Sequence, residues 1–292
     1  MVRFRYQLKH NQNTLWLAVG AVGFLLLYVL AFVVLLLWLA TSGQMGGNST
    51  ELIIPKAIIP TPLPVTEALL GRQPNEESLL REGLVRTKQV ETPFVIDADL
   101  EGWADIDTTS SAYQVYAADS WDGSTDGAAF WRTAWDSDFL YISAIVADDI
   151  HIQASESTVY RGDTLEVQID TDIAADKISP HTFTIVLSPG DFLTTEPFAA
   201  CLRGTTSGKM RAIAQHNTQV AVTQTETGYA IEAAIPWDDL GVTPSENWTG
   251  RVALSLHDTD SAERIRAEVI QSSITERRAN APDSWGILLL TD

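Results

Sequence analysis

QVAVTQTETGYAIEAAIPW, residues 219–237, contains two runs rich in apolar and β-branched side chains, separated by Thr-Glu-Thr-Gly. A short turn-forming segment between two such runs predicts a β-hairpin. This is the clearest local structure that the sequence specifies, and it sets the fold class for the region around it.

Further runs of the same character lie on both sides of this hairpin. FLYISAIVADD from Phe139 predicts a buried strand, and DTLEVQID from Asp163 and HTFTIVLS from His181 alternate apolar with polar side chains. GRVALSLHDTD from Gly250 and SWGILLLTD at the C-terminal end add two more. Many short strands without a long helical period predict an all-β fold, an antiparallel β-sandwich over residues 94–292.

Six blocks, in chain order, resemble motifs of the family 9 carbohydrate-binding modules. The most specific is GYAIEAAIPW at 228–237, and the others are VIDADLEGW at 95–103, AWDSDFLYISAIVAD at 134–148, YRGDTLEVQID at 160–170, GRVALSLHDTD at 250–260 and SWGILLL at 284–290. The resemblance implies the β-sandwich of that family. It also implies a non-catalytic module that holds a sugar between aromatic rings, with polar side chains bonded to its hydroxyls.

The resemblance also places candidate ligand-binding residues. A stacking tryptophan of the family corresponds to Tyr160, and its hydroxyl-binding glutamate corresponds to Glu166. Gln168 lies on the same polar face of the predicted strand. In the family, a basic side chain on the neighbouring strand also takes part in binding. Its position corresponds to about Thr184 here, which is not basic, so this sequence departs from the family pattern there.

The second stacking aromatic of the family falls in residues 278–283, RANAPD, which contain no aromatic side chain. Trp121 and Trp131 flank a loop rich in Gly, Asp and Ser and could supply the missing ring. Core positions are expected for the tryptophans of the family blocks, Trp103, Trp135, Trp237 and Trp285.

Paired carboxylates recur at the predicted turns. Asp170 with Asp172 and Asp258 with Asp260 are candidate ligands for Ca²⁺, which takes about six to eight oxygens from such loops. The family resemblance allows structural calcium. The same pairs also fit carboxylates that only cap turns in water.

Residues 15–40 form an uncharged, apolar segment. Roughly 20 helical residues cross a bilayer, so this segment predicts a transmembrane helix. Arg3, Arg5 and Lys9 precede it, which places residues 1–14 in the cytoplasm as a short tail. The alternative is a cleaved signal peptide, whose apolar part is shorter, about 7–15 residues.

Residues 41–93 are predicted to form a stalk on the outer side of the cytoplasmic membrane. Four prolines between 55 and 64 favour extended backbone. NEESLLREGLVR at 75–86 predicts a short helix inside this stalk. The sandwich would then be displayed in the periplasm or outside the cell.

Composition and missing motifs exclude several function classes. The formal net charge of −19 argues against nucleic acid and against docking on anionic lipid. The sequence has no HExxH, no GxSxG, no P-loop and no GxGxxG, and it has a single cysteine. We therefore expect no enzyme activity.

Three functions remain open at this point. The leading one is a membrane-anchored module that binds or senses glycans without chemical change. The second is a sandwich that has lost sugar binding and serves as a sensor or assembly scaffold for membrane partners. The third is haem binding, for which the candidate ligands are Lys209, Met210, His181 and His216.

Overall fold

The computed structural model describes residues 83–261 and 267–292. The predicted cytoplasmic tail, the predicted transmembrane segment and most of the predicted stalk lie outside these residues. Within the described ranges, no helix is both long and apolar enough to cross a bilayer.

Fourteen strands and short helical turns make up the described residues. The strands are β1 Leu84–Gln89, β2 Thr108–Ser110, β3 Tyr113–Tyr116, β4 Gly127–Trp135, β5 Phe139–Asp148, β6 Thr164–Asp170, β7 Thr182–Ser188, β8 Phe198–Gly204, β9 Met210–Ala212, β10 Gln219–Thr225, β11 Gly228–Pro236, β12 Thr249–Asp258, β13 Val269–Ser272 and β14 Gly286–Thr291. One α-helical turn, α1, spans Trp237–Leu240, and 3₁₀ turns span Leu100–Trp103, Ala118–Ser120, Glu156–Arg161 and Pro282–Ser284.

The strands form one sheet that curls over on itself. The order is β10-β11-β5-β4-β1-β14-β12-β6-β7-β8-β9, with β2 added to β4 and with β13 and β3 added to β12. Strand β8 approaches β10, so the two ends of the order come together. Side chains from both halves meet in one hydrophobic core, which confirms an all-β, sandwich-like fold.

The expectation of a purely antiparallel sheet is wrong at β1. This strand pairs in parallel with β14 on one side and with β4 on the other. Its residues were assigned from the sequence to the stalk, and the first three of them to a short helix. The sheet therefore begins at Leu84, before the predicted boundary at Phe94.

A pair of glycines lets β1 enter the sheet beside β14. Gly83 has φ +80°, and a Cβ there would lie 2.7 Å from Ile274 Cδ1. A Cβ on Gly286 would lie 2.0 Å from the Gly83 carbonyl oxygen. No larger residue fits this approach without moving the backbone.

A smaller core lies on the outer face of β4, β5 and β11. The segment from Val90 to Ile106 packs over Tyr141, Ala134 and Ala234 through Leu100 and Trp103. Trp103, Trp135, Trp237 and Trp285 are all buried, as the sequence predicts. Trp131 is fully buried as well and donates to Ser111 Oγ at 2.7 Å, so it cannot provide an exposed stacking ring.

Candidate functional site

Glu166 and Gln168 project from the outer face of β6, because Leu165, Val167 and Ile169 fill the core on its other face. The sequence predicts that this polar face is open to water. The structure differs, since Glu166 is only 8% exposed and Gln168 only 4% exposed. The loop between β13 and β14 covers both side chains.

Arg277 of that loop holds the two side chains together. Its Nη2 forms an ion pair with Glu166 Oε1, and its Nε donates to Gln168 Oε1 at 3.0 Å. Gln168 Nε2 donates in turn to the carbonyl of Ala279 at 3.1 Å. A basic partner for the glutamate is therefore present, but it comes from a loop instead of the neighbouring strand.

Sequence reasoning missed Arg277. The family pattern predicts an aromatic residue in the segment before the last strand and does not predict a basic one there. The signal that could have found Arg277 is the Arg-Arg pair at 277–278, directly where the family places a ligand-binding side chain. Arg278 turns outward and pairs with Asp283 at 3.1 Å.

His257 connects this ion pair to Tyr160. Its Nδ1 lies 3.2 Å from the Tyr160 carbonyl oxygen, so Nδ1 carries the hydrogen. Its Nε2 lies 3.7 Å from Glu166 Oε1. Burial alone would raise the pKa of Glu166, but the charges of Arg277 and His257 outweigh it and lower that pKa to about 2. The carboxylate is thus ionised at neutral pH.

Tyr160, whose backbone carbonyl contacts His257, carries an exposed aromatic ring. It lies on the 3₁₀ turn Glu156–Arg161 and is 49% exposed. The Arg161 guanidinium lies 5.9 Å from the ring centroid. The exposed ring offers a flat apolar surface, whereas the ionised Glu166 carboxylate, a strong hydrogen-bond acceptor, lies under the loop between β13 and β14.

Of the other two candidate ligand-binding residues, Thr184 lies in the Glu166 cluster and Trp121 does not. Thr184 is buried on β7, with its Oγ1 3.5 Å from Gln168 Nε2, so it belongs to the cluster. Trp121 lies elsewhere. Its indole N–H donates to the Gly127 carbonyl at 2.9 Å, and no contact within the described ranges joins it to Glu166.

The four candidate calcium ligands also separate. The Asp170 carboxylate already has protein partners, because it accepts hydrogen bonds from Thr182 Oγ1 at 2.6 Å and from the Asp172 amide at 2.9 Å. Asp172 accepts the amide of Ala174 at 3.0 Å, so this pair caps a turn. Asp258 and Asp260 instead have buried oxygens without a hydrogen-bond partner in the described part of the chain. Burial and neighbouring carboxylates raise the pKa of Asp258 to about 8 and that of Asp260 to about 6.

The haem ligands suggested by the sequence do not form a haem site. His181 and Lys209 are exposed. The cavity beside His216 has a volume of about 40 Å³, far below the several hundred Å³ of a cofactor pocket. A larger, half-open cleft of about 410 Å³ lies near this cavity, around the start of β5 and the end of β11, and is lined by residues that include Asp138, Phe139 and Asp238.

The curled sheet and its shared core define a β-sandwich module. The chain belongs to the carbohydrate family 9 binding domain-like family, whose model matches residues 96–292. The family resemblance of the six sequence blocks is thereby confirmed. A search of curated proteins finds no match.

Solved structures show the same fold. A family 9 carbohydrate-binding module from Caldicellulosiruptor kristjanssonii in complex with cellotriose has a TM-score of 0.53 and 16% identity, covering 71% of this chain and 93% of that one. The module in complex with glucose gives a TM-score of 0.52 and 16% identity, with 70% and 95% covered. A putative carbohydrate-binding protein from Bacteroides uniformis gives 0.50 and 11% identity, with 71% and 98% covered.

Proposed function

We propose that this protein is a membrane-anchored, non-catalytic module that binds glycans outside the cytoplasmic membrane. The observation that carries the proposal is the ionised Glu166 carboxylate, paired with Arg277 and linked through His257 to the backbone of Tyr160, whose ring is half-exposed. Family membership and two structural neighbours crystallised with glucose and cellotriose support it.

The free oxygen of Glu166 is the proposed acceptor for a sugar hydroxyl. Arg277 and His257 both approach Oε1, whereas Oε2 accepts no hydrogen bond from the described residues. Charge-assisted hydrogen bonds of this kind are stronger than neutral ones. Gln168 is already bonded to Arg277 and Ala279, so its role is to position the arginine rather than to contact the sugar.

A binding role fits this carboxylate better than proton transfer. A general acid needs a pKa near the operating pH, which burial without a counter-charge provides. The ion pair with Arg277 acts in the opposite direction and holds the pKa of Glu166 at about 2. We therefore propose that Glu166 binds a ligand and does not transfer a proton.

Titration calorimetry on the full-length protein tests the proposal. The protein is purified in a detergent without a sugar head group and titrated with glucose, cellotriose and a panel of other oligosaccharides. We expect saturable binding that Tyr160→Ala and Glu166→Gln each weaken at least tenfold, about 1.4 kcal/mol. Phe130→Ala, an exposed ring on the other half of the sheet, and Glu226→Gln, in an exposed turn, are the controls.

A scaffold role is the second candidate. It is favoured by the low exposure of Glu166, 8%, and by the loop that covers it. If the folded protein binds no saccharide in the panel, glycan binding is rejected and the module is a partner-binding scaffold. Circular dichroism of each variant separates loss of binding from loss of fold.

A further inference from the structure

A second polar cluster lies at the end of the sandwich where several strands terminate. Asp148 ends β5, Asp163 directly precedes β6, and Asp258 ends β12. Asp126, Asp149 and Asp260 form an adjacent group of three carboxylates. In the described part of the chain, no lysine or arginine forms an ion pair with any of these six.

The orientation of His151 is fixed by its backbone partner. Its Nε2 lies 2.7 Å from the Gly190 carbonyl oxygen, and a carbonyl only accepts, so Nε2 carries a hydrogen. Its Nδ1 therefore faces two carboxylates, Asp148 Oδ2 at 3.0 Å and Asp163 Oδ2 at 3.4 Å. A histidine with one nitrogen bonded to a backbone carbonyl and the other aimed at carboxylates has the arrangement of a metal ligand.

Two polar atoms in this cluster are buried without partners. They are Asp258 Oδ2 and the hydroxyl of Tyr229, neither of which makes a hydrogen bond within the described ranges. The exposed fractions of these two residues are 2% and 0%. The Tyr229 ring stands edge-on to the His151 ring at 5.8 Å. Buried polar atoms without partners cost free energy, which a bound ion would recover.

We propose that Asp148, His151 and Asp163 bind a divalent metal ion through one carboxylate oxygen each and His151 Nδ1. The three ligand atoms lie within 4.8 Å of one another. An ion with bonds of about 2.0–2.2 Å contacts all three after a small closing movement.

The ligand set selects the class of ion. Calcium and magnesium take oxygen ligands, whereas imidazole together with carboxylates suits Zn²⁺ or Mn²⁺. The proposed occupant is therefore an ion of the Zn²⁺ or Mn²⁺ type. Asp258 and Tyr229 lie beyond the three ligands, where they can bond to water on the ion.

Binding at this place would order a loop. His151 and Asp163 bracket the segment that contains Tyr160, and the Ile152 amide already donates to Asp163 Oδ2. An ion joining the two ends would fix the residues between them. This step does not depend on sugar binding, so the site is tested with the metal alone.

Metal titration of the full-length protein in detergent, free of histidine tags and stripped with a chelator, tests the proposal. ZnCl₂, MnCl₂, CaCl₂ and MgCl₂ are each followed by calorimetry and by thermal unfolding. We expect Zn²⁺ or Mn²⁺ to bind one equivalent and to raise the unfolding temperature. His151→Gln and Asp163→Asn should each weaken that binding at least tenfold, and His181→Gln, an exposed histidine, should leave it unchanged.

Three results would overturn the proposal. They are the absence of Zn²⁺ and Mn²⁺ binding to the wild-type protein, binding that His151→Gln leaves intact, and selective Ca²⁺ binding that does not need His151. If one variant fails to fold, the other variant and the wild-type unfolding shift still decide. Saccharide titration is a separate experiment, so failure of this site and failure of glycan binding are distinguishable.

Discussion

Glu232 shows how one buried carboxylate joins two of the family blocks. Trp103 Nε1 donates to its Oε1 at 2.6 Å, and the amides of Asp97 and Ala98 donate to its Oε2 at 3.0 and 2.6 Å. Burial raises the pKa of Glu232, and the three donors act in the opposite direction. Glu232 therefore attaches the segment before β2 to the outer face of the sheet.

Replacing this carboxylate should loosen that segment. In Glu232→Gln the new NH₂ group faces the Trp103 N–H, so one buried donor loses its acceptor. We expect a loss of about 1–3 kcal/mol in the free energy of unfolding, measured by denaturant titration. Trp103 fluorescence should change in the same variant.

Glu226→Gln is the matched control, because Glu226 lies in the exposed turn between β10 and β11. Equal stability of the Glu232 variant and the wild type would show that the attachment is made by apolar packing alone.

At the scale of single residues, the sequence predicts part of the candidate site. Tyr160 and Glu166 stand in a block that resembles the family. The structure joins Glu166 to Gln168 through Arg277. It also joins Glu166 to the Tyr160 backbone through His257, and Gln168 contacts Thr184. Arg277 could not be placed, because the chemistry of a loop side chain depends on which strand face the loop covers. The burial of Glu166 follows from the same loop and was missed for the same reason.

Among the elements, β1 is the least expected. Val85 and Thr87 are 2% and 0% exposed, and Thr87 Oγ1 lies 2.8 Å from Thr133 Oγ1. The strand lies between β4 and β14, so it is internal to the sheet. Removing β1 would leave backbone N–H and C=O groups of β4 and β14 without their hydrogen-bond partners.

Truncation tests this role. A chain that begins at Glu91 lacks β1, whereas a chain that begins at Asn75 contains it. We expect the longer chain to unfold cooperatively and the shorter one to aggregate or to lose most of its stability, because central-strand hydrogen bonds and core contacts disappear together. Circular dichroism and thermal unfolding measure the difference. Equal unfolding temperatures would mean that β1 is dispensable.

Apolar runs or alternation in the sequence predict β5, β6, β7, β10, β11, β12 and β14, but β4 and β8 were not predicted as strands. LVRTKQ at β1 was not predicted either, because Arg86 and Lys88 project away from the core and the run continues a helix-like pattern from the preceding residues. Its parallel pairing involves residues just over two hundred positions apart, such as Leu84 with Ile287. Local pattern contains no information about such a pairing.

For the molecule as a whole, the proposed membrane display predicts a defined topology. A C-terminal reporter that is active only outside the cytoplasm should be active when fused to the full chain and inactive when residues 15–40 are deleted. The intact protein should sediment with membranes. A soluble, extracytoplasmic product lacking residues 1–40 would show a cleaved signal instead, and an inactive reporter on the full chain would reject display.

The position of β1 has a mechanical consequence. The preceding chain enters the domain through this strand, which is held on both sides by parallel neighbours. A pull along the strand axis loads its hydrogen bonds in shear, so they must break together instead of unzipping one by one. With the proposed membrane anchor on its N-terminal side, the module would therefore resist tension between that anchor and a bound ligand.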